Sequence, residues 1–209
     1  MGKEKIDNKA LNRVSYGLYV VSATYKGKHN AFINNTFAIA STKGPIALIT
    51  INKLNYTHEL IYRTKKFNVS MLDETCDFEI FKHFGFQSGR DVDKFKDFKD
   101  YDTDSNGLAY LTKSTNAYCS CEVFDMIDVG THTLFLAKIV EAKVIGDKPS
   151  LTYAYYHENI KEKDSAGAKP AKKGWKCIIC GYVYEGEELP DDFICPICKH
   201  GAEDFEKIG

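Results

Sequence analysis

Cys177-Ile178-Ile179-Cys180 is followed, after fourteen residues, by Cys195-Pro196-Ile197-Cys198. Two Cys-x-x-Cys knuckles at this separation can close one tetrahedral site of four thiolates. The two-residue spacer makes each loop turn sharply and aims backbone N–H groups back at the sulfurs; Gly181 behind the first knuckle and Pro196 inside the second suit such turns. The surrounding unit, Gly174 to Gly209, has 36 residues. A unit of that size cannot bury much apolar surface and needs its metal to fold. Four thiolates hold zinc as well as iron, so a structural zinc ribbon is the alternative to a redox centre. Trp175, Tyr182, Tyr184, Phe193 and Phe205 favour iron. An apolar wrapping that excludes water tunes a redox potential, which an inert zinc staple does not require.

Upstream of this unit, residues 161–173 lose every large apolar side chain and read as a flexible linker of Lys, Ala, Gly, Ser and one Pro. The net charge of −1 conceals an asymmetry: Gly174 onward carries three Lys against eight acids, −5, and the remainder is +4. No basic stripe interleaved with aromatics is present, so a nucleic-acid partner has no support. The charged start and the lack of a long apolar run argue against an export signal or a membrane span, and place the protein in the cytoplasm. In that reducing compartment seven cysteines point to metal or redox use rather than disulfides. Cys76, Cys119 and Cys121 lack metal-ligand spacing; Cys119 and Cys121 share one side of a strand and read as a reduced, partly buried pair.

Residues 1–160 contain short, strand-like apolar runs at Gly17–Thr24, Ala31–Ile33, Ile46–Ile51, Phe67–Met71, Ala117–Ile127 and Thr133–Val144. Helices are expected near Asn8–Val14, over His58–Lys65 with Thr57 or Asn55 as cap, and around Phe78–Phe84. The stretch Asp91–Asp104, dense in Lys and Asp, reads as a solvated loop or helix face. Strands at this spacing with few helices between them predict a mainly β chain built as a closed or partly open barrel. No Gly-x-Gly-x-x-Gly follows a strand, which weakens a doubly wound dinucleotide fold. Asn52-Lys53-Leu54-Asn55-Tyr56-Thr57 places a Lys, an amide and a hydroxyl at a helix N-terminus, which suits a phosphate; an N-capped surface helix with a solvated Lys fits these residues equally well.

The knuckles with Gly181-Tyr182-Val183-Tyr184 and Leu189-Pro190-Asp191-Asp192-Phe193-Ile194 closely resemble rubredoxins, with an inter-knuckle loop as short as that of the terminal domain of rubrerythrins. Gly17–Thr24, Asn34-Asn35-Thr36 with Ser41, the 52–57 turn, Phe67-Asn68-Val69-Ser70 and Gly130-Thr131-His132-Thr133-Leu134-Phe135 together resemble the flavin reductase-like, FMN-binding split-barrel family. Ser88-Gly89-Arg90-Asp91-Val92-Asp93-Lys94-Phe95 and residues 148–157 resemble members with a fused rubredoxin, the high-molecular-weight rubredoxins.

That resemblance implies a mainly β split barrel over 1–160, the 161–173 linker and a rubredoxin-like domain over 174–209. It implies FMN with its phosphate near Lys53, Asn55 and Thr57. The flavin ring then lies near Asn34, Asn35, Thr36 and the Ser88, Gly89, Arg90 loop, and Ser41 and Asn52 join the cofactor-binding set. Iron goes on Cys177, Cys180, Cys195 and Cys198. His132 is implied near the nicotinamide of NADH or NADPH, with a strand-end histidine as the bland alternative; Tyr155 and His157 are implied near the same pocket, Tyr155 more as packing. The resemblance further implies a homodimer with flavin at its interface and a soluble protein acceptor, a flavodiiron protein. Two other functions fit the residues: a reductase releasing reduced flavin beside a structural zinc ribbon, and a non-enzymatic flavin-binding module.

Overall fold

A computed structural model describes residue 10 and residues 13–161, 174–177, 182–196 and 201–208. The chain is mainly β. Nine strands precede the linker: β1 Tyr19–Tyr25, β2 Lys28–Asn34, β3 Ala38–Ser41, β4 Ile46–Asn52, β5 Lys66–Leu72, β6 Tyr101–Thr103, β7 Ala109–Leu111, β8 Thr115–Val129 and β9 His132–Val144. Seven of them form one sheet in the order β2-β1-β5-β8-β9-β4-β3, with antiparallel pairing throughout. Alternation in β4, β5 and β9 turns Ile49, Ile51, Phe67, Val69, Phe135 and Ala137 into one interior, joined by Val21, Cys119 and Cys121. The two cysteines are 5% and 0% exposed, and desolvation pushes both thiols up, so they are inert core residues.

Helix α1, Tyr56–Thr64, starts two residues before the expected His58, with Asn55, one of the two expected caps, accepting the Thr57 N–H. Helix α2, Phe78–Gly85, is capped by Asp77, whose carboxylate accepts the N–H groups of Glu79 and Ile80. A short turn α3, Tyr153–Tyr155, runs into a π-turn over Tyr156–Lys161. Both pack with α2 on a second cluster that holds Leu18, Phe81, Phe84, Phe95, Tyr156 and Ile160. The helix expected over Asn8–Val14 falls mostly outside the described residues, as does the linker beyond Lys161.

Most of the Asp91–Asp104 stretch is solvated, as its charge indicates, but three of its residues turn inward. Lys94, Phe95 and Asp104 are buried, and residues 101–103 form β6, paired with β7. Asp104 goes inside because its carboxylate accepts the N–H groups of Asn106 and Leu108 and the Asn68 amide, which replaces lost hydration. Among the described residues no helix is long and apolar enough to cross a membrane.

After the linker, β10 Gly174–Cys177, β11 Val183–Tyr184 and β12 Phe205–Ile208 form a three-stranded sheet in the order β11-β10-β12. Gly174 has φ +148°, and a Cβ there would meet the Tyr184 carbonyl at 2.1 Å, so only glycine fits.

Candidate functional site

The β4–α1 turn is the centre of the polar site. Asn52 accepts the Leu54 N–H at 2.9 Å and Asn55 accepts the Thr57 N–H at 2.8 Å, so both amides shape the turn. Lys53 reaches across to Asp128 at 2.7 Å, and its own N–H donates to Thr131 O, which ties the turn to the β8–β9 hairpin. Asp128 is held below the usual carboxylate range by the Lys53 ammonium and the Gly130 N–H. His132 faces Asn52 in the β4–β9 register and lies at a hydrogen-bond distance of 2.8 Å from Thr131 Oγ1. His58, on the first turn of α1, lies 2.8 Å from Thr133 Oγ1. Burial first, then the Lys53 and His132 charges, push its pKa down. Lys53, His58 and His132 therefore surround the positive end of α1.

A second wall comes from the 88–90 loop. Arg90 pairs with Glu59 of α1 at 3.0 Å and lies over the Tyr56 ring at 4.8 Å. Gly89 rests on the buried Asn30 of β2, where an added Cβ would come within 1.9 Å of Asn30 Oδ1. Asn30 in turn donates to Thr57 Oγ1 at 2.8 Å, and Thr57 is fully buried. The Ser88 hydroxyl accepts the Arg90 N–H at 3.2 Å.

The third wall is the β2–β3 turn. Asn34 Oδ1 accepts the Thr36 N–H, and Asn34 Nδ2 donates to Thr50 O at 3.1 Å. Thr36 Oγ1 donates to Thr50 O at 2.8 Å and accepts the Thr50 N–H at 3.1 Å. Asn34 and Thr36 thus spend their side chains holding the turn, with half-buried Asn35 between them, on β4 just before Asn52. Directly after it, Phe37, Ala38 and Ile39 line an apolar cavity of about 240 Å³ with Tyr19 and Met71.

The structure brings together Asn34, Asn35, Thr36, Asn52, Lys53, Asn55, Thr57, Ser88, Gly89, Arg90 and His132. Ser41 is apart: it pairs with Ile46, at the opposite end of β4 from Asn52, and bonds to Lys43 O. Tyr155 and His157 are also elsewhere. Tyr155 lines a cleft with Glu74, Cys76, Asp77 and Phe78, and His157 edges against Tyr153 at 4.5 Å and Tyr156 at 5.4 Å. Asn30, Glu59, His58 and Asp128 were not anticipated from sequence. Asn30 sits between His29 and the apolar run Ala31–Ile33, so no alternation marked it.

Cys177 and Cys195 are fully buried in an aromatic shell of Trp175, Tyr182, Tyr184, Phe193 and Phe205. Phe193 meets Tyr184 at 4.8 Å and Phe205 at 5.3 Å. The Cys177 N–H donates to Tyr182 O at 2.8 Å. Cys180 and Cys198 lie outside the described residues. Buried thiols in a dry aromatic shell fit a four-thiolate iron. The α1 terminus, flanked by Lys53 and Arg90, fits an anionic phosphate.

Comparison with known proteins agrees with both halves. The flavin reductase like domain family matches residues 11–163, and the rubrerythrin, rubredoxin-like domain matches residues 175–206. A high molecular weight rubredoxin of Moorella thermoacetica is 33% identical over 97% of this chain and 100% of its own length. A ferric-chelate reductase (NAD(P)H) of Archaeoglobus fulgidus is 35% identical over 73% of this chain and 89% of its own. Among solved structures, an NADH:FAD oxidoreductase of Streptomyces globisporus superposes with a TM-score of 0.63 at 20% identity, covering 72% of this chain and 92% of that one.

Proposed function

The chain belongs to the flavin reductase-like family and carries a rubredoxin-like domain behind the barrel, and from that premise we propose that it passes electrons from NAD(P)H, through FMN in the barrel, to iron on Cys177, Cys180, Cys195 and Cys198. The observation that carries this reading is that the 88–90 loop and Asn30 meet the first turn of α1 while the 34–36 turn fastens β4 at Thr50, two residues before the 52–57 turn, in a chain that also buries Cys177 and Cys195 among aromatic rings. A bound flavin accepts hydride as an electron pair and releases electrons singly, which matches a one-electron iron.

The residues of this chain supply placement and charge. Lys53 and Arg90, with the α1 terminus, hold the phosphate; each must exchange its carboxylate partner, Asp128 or Glu59, for the ligand or share it. The 34–36 turn presents Asn35 and backbone groups to the ring. His132, beside this pocket, steers the nicotinamide. The aromatic shell keeps water from the sulfurs. The acids of residues 185–192 give the small domain a negative face for a soluble protein acceptor, for which a flavodiiron protein reducing oxygen or nitric oxide is the expected one.

The β8–β9 hairpin leaves Phe124, Ile127, Val129 and Val140 between 44% and 52% exposed, which supports a homodimer built on this hairpin; the cytoplasm is the compartment expected for it. A second reading, release of reduced flavin beside a structural metal, keeps the reductase chemistry in the barrel alone, and the Archaeoglobus NAD(P)H reductase matches 73% of this chain.

Anaerobic addition of NADH to the natively loaded protein is expected to bleach the flavin and ferric-thiolate bands together. Cys195→Ser is expected to keep flavin reduction and lose delivery to the protein acceptor. Flavin bleaching with the iron band intact, or acceptor delivery intact in Cys195→Ser, sinks the relay and leaves flavin release.

A further inference from the structure

The loop from Phe86 to Asp93 carries Ser88, Gly89 and Arg90, yet none of its side chains is buried, and Gln87, Arg90, Asp91, Val92 and Asp93 are exposed. Apolar packing anchors only its ends, with Phe86 against the Phe78 ring at 5.6 Å and Phe95, just past it, in the second cluster. The far end is also held by Lys94, which is 3% exposed and is the sole buried Lys or Arg among the described residues. Its ammonium donates to Ala31 O at 2.9 Å and to Phe84 O at 2.8 Å. Its carbonyl lies 2.6 Å from His83 Nε2.

The two acceptors are placed to matter. Ala31 follows Asn30 on β2, so consecutive residues hold Lys94 and seat Gly89. Phe84 is among the last four residues of α2, whose carbonyls have no partner inside the helix and carry the negative end of its dipole. An apolar residue of the same length would leave both carbonyls buried without a donor. Burial lowers the Lys94 pKa to about 8, which shows that this side chain is kept inside against the pull of hydration.

We propose that Lys94 is a positioning residue for the flavin: its side chain clamps the 86–93 loop between β2 and the end of α2, so that Ser88, Gly89 and Arg90 stand against the first turn of α1. The inference rests on the flavin reading of that site. Lys94 does not itself touch the ligand. It fixes the wall from which Arg90 reaches Glu59 and Tyr56.

The test uses the full chain stripped of flavin, titrated with FMN by fluorescence quenching, with amide hydrogen exchange read by mass spectrometry. Lys94→Met is expected to weaken FMN about tenfold or more, the loss of a charged hydrogen bond, and to speed exchange across residues 86–95 while β1 and β5 keep theirs. A general loss of stability would speed exchange in all three. Arg90→Ala is expected to weaken FMN and leave exchange at 93–95 unchanged. Unaltered FMN affinity and loop exchange in Lys94→Met, with Arg90→Ala still impaired, overturns the positioning role and leaves the flavin site standing. FMN binding indifferent to Arg90→Ala overturns the site and the positioning role together. Lys94→Gln, whose amide ends one bond short of the ammonium and does not reach both carbonyls, is read on the same criteria should the Met variant not fold.

Discussion

Gly89→Ala is the sharpest probe of how the loop and helix α1 are coupled. Gly89 has an ordinary negative-φ backbone, so the substitution carries no conformational penalty of its own, and its whole effect is steric. The new methyl would lie 1.9 Å from Asn30 Oδ1 and 2.8 Å from Nδ2. The Asn30 amide cannot swing aside freely, because it is 4% exposed and donates to the fully buried Thr57 hydroxyl. Either the loop lifts off or that hydrogen bond breaks. Breaking it leaves a buried polar pair unmatched at about 1–3 kcal/mol, and overpacking adds about 1 kcal/mol or more. A loss of about 2–4 kcal/mol follows, read as the shift in urea midpoint of the flavin-free chain by circular dichroism. Asn30→Ala removes the obstacle, so Gly89→Ala added to it is expected to cost less than about 1 kcal/mol, a coupling of about 2 kcal/mol in the double-mutant cycle. Additive effects, or a neutral Gly89→Ala in the parent, would refute the close seating of the loop on β2.

Thr36→Val keeps the shape of the side chain and removes its bonds to Thr50, so a loss of about 1–3 kcal/mol is expected in thermal melts, together with weaker FMN binding. Lys53→Gln breaks an ion pair whose partners are 38% and 73% exposed; stability is expected to move by under about 1 kcal/mol, while FMN affinity in a fluorescence titration falls about tenfold. Lys94 has a folded pKa of about 8 against 10.5 for an ordinary lysine, so between those values the unfolded chain binds more protons and stability rises with pH. At ~1.4 kcal/mol per unit the rise approaches about 3 kcal/mol; denaturation from pH 7.5 to 10.5 is expected to show it in the parent and not in Lys94→Met.

The small domain was readable because its chemistry is local: knuckles at fixed spacing and five aromatics, which the fold gathers around Cys177 and Cys195. The barrel strands were readable where alternation is strong, as in β4 and β9. Strand β3 escaped notice because Ala38, Ile39 and Ala40 are all exposed and carry no alternation. The burial of Lys94 and Asp104 escaped because charge in sequence says solvent, and only the finished fold supplies the carbonyls and N–H groups that make an interior charge tolerable. In the site, the family resemblance carried by these segments implied which of them meet. It did not indicate that Asn34, Thr36 and Asn55 would be consumed in shaping turns, nor that Ser41, Tyr155 and His157 would lie away from Lys53 in the same chain.

The side-chain bridge from Asn34 and Thr36 to Thr50 joins the ends of two strands that are not neighbours in the sheet. A backbone ladder spreads load over many residues, whereas this fastening concentrates it on two. Warming should therefore part the molecule at that corner before the remaining strands separate. The prosthetic group would then be shed from a shell still mostly intact, and its departure would register at a lower temperature than the loss of β signal.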